Sequence, residues 1–214
     1  MKRLFIVSLA AVLMSTATVL ASTVGAAAAP GSRTIVNLRG PLINASFSDT
    51  DPTGCITTDV FVSSNSGIEQ DLPHTDHFGV ASVSIYRYNS CTGATLLDAS
   101  GLNDSLAAGQ LSVSQQLDRA SLNTEITVSD LVTGSSFPVR VDVALTGTGE
   151  IVRDHSNTNE IYPGCHIINR WKGSGRDAVA TGTVTDGSTN FTPGPSNDAE
   201  IGLVISGFEI IGCS

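Results

Sequence analysis

The chain has 214 residues, of which 41% are hydrophobic, 5% aromatic and 14% charged, and its formal net charge is −9. Twenty acids against eleven Lys and Arg exclude the clustered cations that nucleic acid demands. One Trp and three Tyr leave few platforms for stacking on sugar rings.

Residues 1–28 open on Met1-Lys2-Arg3, continue through an apolar run from Leu4 to Leu20, and end in small residues. A basic start, a short apolar core and an Ala-x-Ala end predict a secretory signal peptide cleaved after Ala28. The core is shorter than the roughly 20 apolar residues that span a bilayer, so no membrane insertion is expected after processing. What remains, 29–214, has the length of a single domain. Nine cations then face twenty acids, a net charge of −11. So acidic a chain is a poor partner for anionic membrane surfaces.

Cys55, Cys91, Cys165 and Cys213 are even in number and expected outside the cytoplasm, which predicts two intrachain disulfides. Three pairings are possible. Pairing sequence neighbours, Cys55–Cys91 and Cys165–Cys213, gives each half of the chain its own staple and is the favoured one.

In chain order, residues 31–40 predict a short first strand or edge segment. Ile43, Ala45 and Phe47 then alternate with Asn44, Ser46 and Ser48, the period of a half-buried strand. The run 48–54, SDTDPTG, is a turn. Strands follow over 55–63 and 79–88, separated by a polar stretch, 64–78, that reads as a surface loop. Residues 89–93 turn the chain into a strand over 94–99. Leu111, Val113 and Leu117 continue the alternation after a linker over 101–109. The clearest signal is a hairpin: Leu122, Thr124, Ile126 and Val128, then Val139, Val141, Val143 and Leu145, each alternating with polar residues around a Gly-bearing turn. Residues 150–153 resume a strand, 154–164 read as a second polar loop, and a strand-turn-strand-loop-strand unit closes the chain.

No stretch beyond the leader carries a helical period. About ten short strands with turn signals between them predict an all-β, antiparallel β-sandwich of the jelly-roll or Ig-like kind.

The candidate chemistry is sparse. His74 and His77, with Asp71 and Asp76, form an acidic His-Thr-Asp-His segment. On a loop, imidazoles three apart beside carboxylates can meet one Zn²⁺ or Cu²⁺ ion. Asp49 and Asp51 resemble the front of a calcium loop, but the position that should hold a bidentate Glu is Val60. The EF-hand reading therefore fails; an Asp-rich turn is the simpler one, with a looser Ca²⁺ site between two loops as the alternative. Arg170-Trp171-Lys172 puts an aromatic face between two cations, a combination suited to a sugar ring or a protein anchor. The competing role for the only Trp is core packing beside a disulfide.

No nucleophile motif is present. The leading expectation is a secreted, non-catalytic binding or surface-associated protein that needs no cofactor and takes an extracellular ligand, glycan or protein, on the loops 64–78 and 154–164. The alternatives are a polysaccharide hydrolase working through paired carboxylates and a structural envelope or matrix protein.

Overall fold

A computed structural model describes residues 33–71, 74–163, 165–185, 190–191 and 198–211. The expected leader and Cys213 lie outside the described residues. Those described are all-β, in eleven antiparallel strands: β1 (Arg33–Thr50), β2 (Ile56–Asp71), β3 (His74–Asn89), β4 (Ala94–Asn103), β5 (Leu111–Val113), β6 (Arg119–Asp130), β7 (Ser136–Gly147), β8 (Val152–Tyr162), β9 (Cys165–Thr185), β10 (Asn190–Phe191) and β11 (Asp198–Ile211).

The ladders do not make the two-sheet sandwich that the strand pattern predicts. They form one sheet running β9-β11-β1-β2-β3-β4-β6, and β7 pairs with both β6 and β9. That last pairing closes the sheet into a ring of eight strands. Closure satisfies edges that an open sheet would leave exposed. Short alternating strands serve a sandwich and a barrel equally well, so the sequence pattern does not separate them.

The β6–β7 hairpin shows how the pattern builds the barrel. Burial alternates strictly along β6, with Leu122, Thr124, Ile126 and Val128 inside, and along β7, with Val139, Val141, Val143 and Leu145 inside. Ile43, Ala45, Phe47, Val60, Val62, Ala81, Val83, Ile85, Ala180 and Ile201 fill the rest of the interior. The barrel is therefore packed with apolar side chains at its closed end.

Its thinnest ladder is β4–β6, where only Ala99–Gly101 meet Val128–Asp130. Asp130 reinforces that seam. Its carboxylate accepts from the backbone N–H of Asp98 (3.2 Å) and of Val132 (3.0 Å), and from the Thr133 hydroxyl (2.6 Å). These bonds, that from Thr133 foremost, hold the carboxyl below its ordinary value.

Cys55 and Cys91 are joined, with a sequence separation of 36, tying the β1–β2 turn to the β3–β4 turn. Cys165 is also disulfide-bonded, and the expected partner position, Cys213, is not among the described residues.

Both stretches predicted as surface loops are strands. The 64–78 segment forms the far ends of β2 and β3, and 154–164 is mostly β8. They lack a hydrophobic period because neither face of these strands is packed into the barrel. All eleven residues of β8 are exposed, and among the described residues its only ladder is to β9.

These ends belong to a second feature of the sheet. β1, β2, β3, β9 and β11 run on past the closed ring, and β8 joins them on β9, giving an open half in the order β8-β9-β11-β1-β2-β3. Gly40 and Gly67 mark where β1 and β2 leave the ring. A Cβ on Gly40 would lie 1.7 Å from the Ser66 carbonyl oxygen, and one on Gly67 would lie 2.1 Å from that of Arg39. Only a bare backbone permits so close a crossing.

Candidate functional site

The open half has two faces, and the ladder registers fix which residues occupy each. The inward face of the barrel carries Ile43 and Phe47 of β1, Val60 and Val62 of β2, Ala178 and Ala180 of β9, and Ala199 and Ile201 of β11. The β1–β2, β1–β11 and β9–β11 registers continue without a shift into the open half. With a side-chain period of two, the same parity continues on the same face.

Three cross-strand rows result. The outermost holds Ile35, Glu209 and Ile168, then Asn159 on β8. The middle row holds Asn37, Gly207, Arg170 and Asn157. The row nearest the barrel holds Arg39, Ile205, Lys172 and His155, with Ile68 and His77 continuing it across β2 and β3.

Gly207 leaves the centre of this array without a side chain. A groove of about 280 Å³ lies over it, lined by Ile35 and Asn37 of β1, Ile168, Arg170 and Lys172 of β9, and Ile205 and Glu209 of β11. Ile205 is 50% exposed although its parity places it on the face that is fully packed lower in the barrel. The groove is an uncovered continuation of the apolar core, with two cations in its wall.

Arg170 and Lys172, two of the three residues singled out in the Arg-Trp-Lys tripeptide, line this groove. Trp171 does not. Alternation sends it to the outer face, where its ring lies over Gly173: a Cβ there would meet the indole at 2.4 Å. Its Nε1 is buried without a hydrogen-bond partner, as is Oδ1 of Asn169 on the same face.

The residues considered as metal ligands lie on β1, β2 and β3 and in the β1–β2 turn. Asp76 lies opposite Glu69, and His77 opposite Ile68. Asp71 ends β2, across from His74. Asp51 is occupied by its own turn: its carboxylate accepts from the backbone N–H of Ile56 (2.9 Å) and Cys55 (3.0 Å), and from the Thr53 hydroxyl (2.7 Å). Those bonds lower its pKa, the one from Ile56 most. Asp49 sits on β1 opposite Thr58. Among the described residues no group of three or more His, Cys, Asp or Glu is placed to hold an ion.

A second polar site lies on the outer face at the waist. Glu200 of β11 is flanked directly by Asn44 of β1 and Asp177 of β9. Its carboxyl rests against bare backbone, since a Cβ on Gly175 would be 2.4 Å from Oε1. Burial first, then the charges of Asp177 and Asp198, push it up to about 7. The neighbouring Asn44 has a buried Oδ1 with no partner.

Sequence reasoning missed Ile35, Asn37, Ile168, Ile205, Gly207 and Glu209. They come from three strands distant in sequence, and only the pairing of β11 between β1 and β9 assembles them. One signal was present: in 33–39, Arg33, Ile35, Asn37 and Arg39 alternate with Thr34, Val36 and Leu38, which sets polar and cationic positions on one face.

No family model matches the chain, and no curated protein matches it. Among solved structures, a protein from Nitrosomonas europaea provisionally assigned as AttH aligns with 85% of this chain and 52% of its own, at 9% identity and a TM-score of 0.28. The chain thus spans about half of that neighbour's length, and so low a score carries no argument about fold or function.

Proposed function

We propose that this chain is an exported, non-catalytic binding protein, and that its binding surface is the inward face of the open half, centred on the groove over Gly207. The observation that carries this reading is the half-exposed Ile205, which belongs to the packed face of the barrel yet is covered by nothing described. Uncovered apolar surface inside a concavity, with few polar groups around it, is the usual form of a small-molecule site. Export rests on the composition of residues 1–28 and fits the Cys55–Cys91 disulfide.

The hydrolase alternative gains little from this site. Two-carboxylate hydrolysis needs a facing pair of acids, and the groove lining contains one, Glu209. The matrix alternative draws on the open edge of β8, which offers a free backbone ladder for strand addition. It predicts concentration-dependent assembly of the purified chain.

The binding reading is tested with Nile red, an uncharged dye that brightens on leaving water. The mature protein is expected to enhance its fluorescence saturably. Gly207→Phe fills the groove floor, and a Cβ built there meets only the Asn37 side chain, whose oxygen lies 3.1 Å away. This variant should abolish the enhancement while leaving the melting temperature unchanged. Equal enhancement by parent and variant would remove the groove from the account.

A further inference from the structure

Charge is sorted across the open half in a way that narrows the ligand. On the inward face Arg39, Arg153, Arg170 and Lys172 stand with a single described carboxylate, Glu209. Glu69, Asp76, Asp154 and Glu160 sit on the outer face, which has no Lys or Arg among its described residues. Random placement on a chain with nine cations and twenty acids beyond residue 28 would favour acids on both faces. Instead, nearly half of those cations gather on the face that also carries the exposed Ile68 and Ile205 and the half-buried Ile35 and Ile168.

We infer that the groove takes a free single-chain amphiphile with an oxyanion head group, and this rests on the binding reading above. The array has a direction. Glu209 lies in the outermost row between Ile35 and Ile168, whereas Arg39 and Lys172 flank Ile205 in the row nearest the barrel, two residues or about 7 Å along from the row of Asn37, Gly207 and Arg170. The head group therefore sits at Arg170 and Lys172, towards the barrel. The chain runs outward over Gly207 along Ile35 or Ile168, to one side of Glu209. A carboxylate or phosphate head gains charge-assisted hydrogen bonds from these cations.

The occupant is a free molecule and not a lipid surface, for two reasons. The groove spans three strands, about 10 Å, and is recessed, which suits one chain. The chain's overall charge and its acidic outer face oppose approach to an anionic bilayer. Within that acidic surface the groove's cations give an anion a local attraction.

The experiment compares amphiphiles with the same tail on the full mature protein by isothermal titration calorimetry, below their micelle concentrations: dodecanoate, dodecyl phosphate, dodecanol and dodecyltrimethylammonium. At least one of the two anions is expected to bind about tenfold or more tightly than dodecanol, and the cation more weakly than dodecanol. Arg170→Gln with Lys172→Met should bring the anions down to the affinity of dodecanol. Both sites are exposed, so the fold is unaffected. Binding of all four compounds alike, lost in Gly207→Phe, would keep the groove and overturn the head-group assignment. Binding of none would overturn both.

Discussion

Glu200 makes stability depend on pH in a direction opposite to that of most carboxylates. An unfolded chain ionises it near 4.5, and the folded chain holds its proton until about 7. Between those values the folded state binds more protons than the unfolded one. Stability is therefore fully present below 4.5 and falls as the pH rises through about 7. At about 1.4 kcal/mol for each tenfold change in proton affinity, the ionised carboxylate costs the folded chain about 3 kcal/mol above that window. Glu200→Gln keeps the shape and removes the charge. At about pH 8 it should raise the melting temperature by roughly 6–12 °C, scaling 3 kcal/mol to a domain of this size. At about pH 4, where parent and variant are both neutral at this position, the two should melt together. The assay is differential scanning calorimetry across that pH range, read as the difference between variant and parent so that other titrating groups cancel. A difference independent of pH, or a variant less stable at alkaline pH, would refute the assignment of the raised carboxyl to Glu200.

Two further substitutions test what holds the barrel. Replacing Cys55 and Cys91 by Ala frees a loop closed over a separation of 36 and should lower unfolding free energy by about 4 kcal/mol, read from the urea midpoint; no change would mean that the two turns are held by other contacts. Gly40→Ala places a methyl against the Ser66 carbonyl, and because backbone and not a flexible side chain must move, a loss of about 1–3 kcal/mol is expected by the same measurement. A neutral Gly40→Ala would show that β1 and β2 separate freely where they leave the ring.

Much of the barrel was legible in the sequence because its strands are one-sided. Leu122 to Leu145 alternate in and out as their residues alternate apolar and polar, and the structure buries them in that order. The Cys55–Cys91 pair follows from proximity along the chain. The open half was not legible, for a physical reason. Strands that pack neither face against a core need no hydrophobic period, so 64–78 and 154–164 read as loops. The role of Trp171 was not legible either: Ile167, Asn169 and Trp171 share one face of β9. Their face is the outer one, because β9 continues from Ala178 and Ala180 with the even positions inside. The choice between sandwich and ring depended on the β7–β9 ladder, a pairing that no local pattern encodes.

The central claim is that a ligand sits on the inward face of the open half, over Gly207. Methyl NMR on isoleucine-labelled protein, titrated with dodecanoate, tests it most directly. The account predicts saturable shifts at Ile35, Ile168 and Ile205, with the barrel residues Ile43, Ile126 and Ile201 unmoved. Shifts confined to barrel isoleucines, or perturbation of the Trp171 indole on the opposite face with the three groove residues silent, would contradict it.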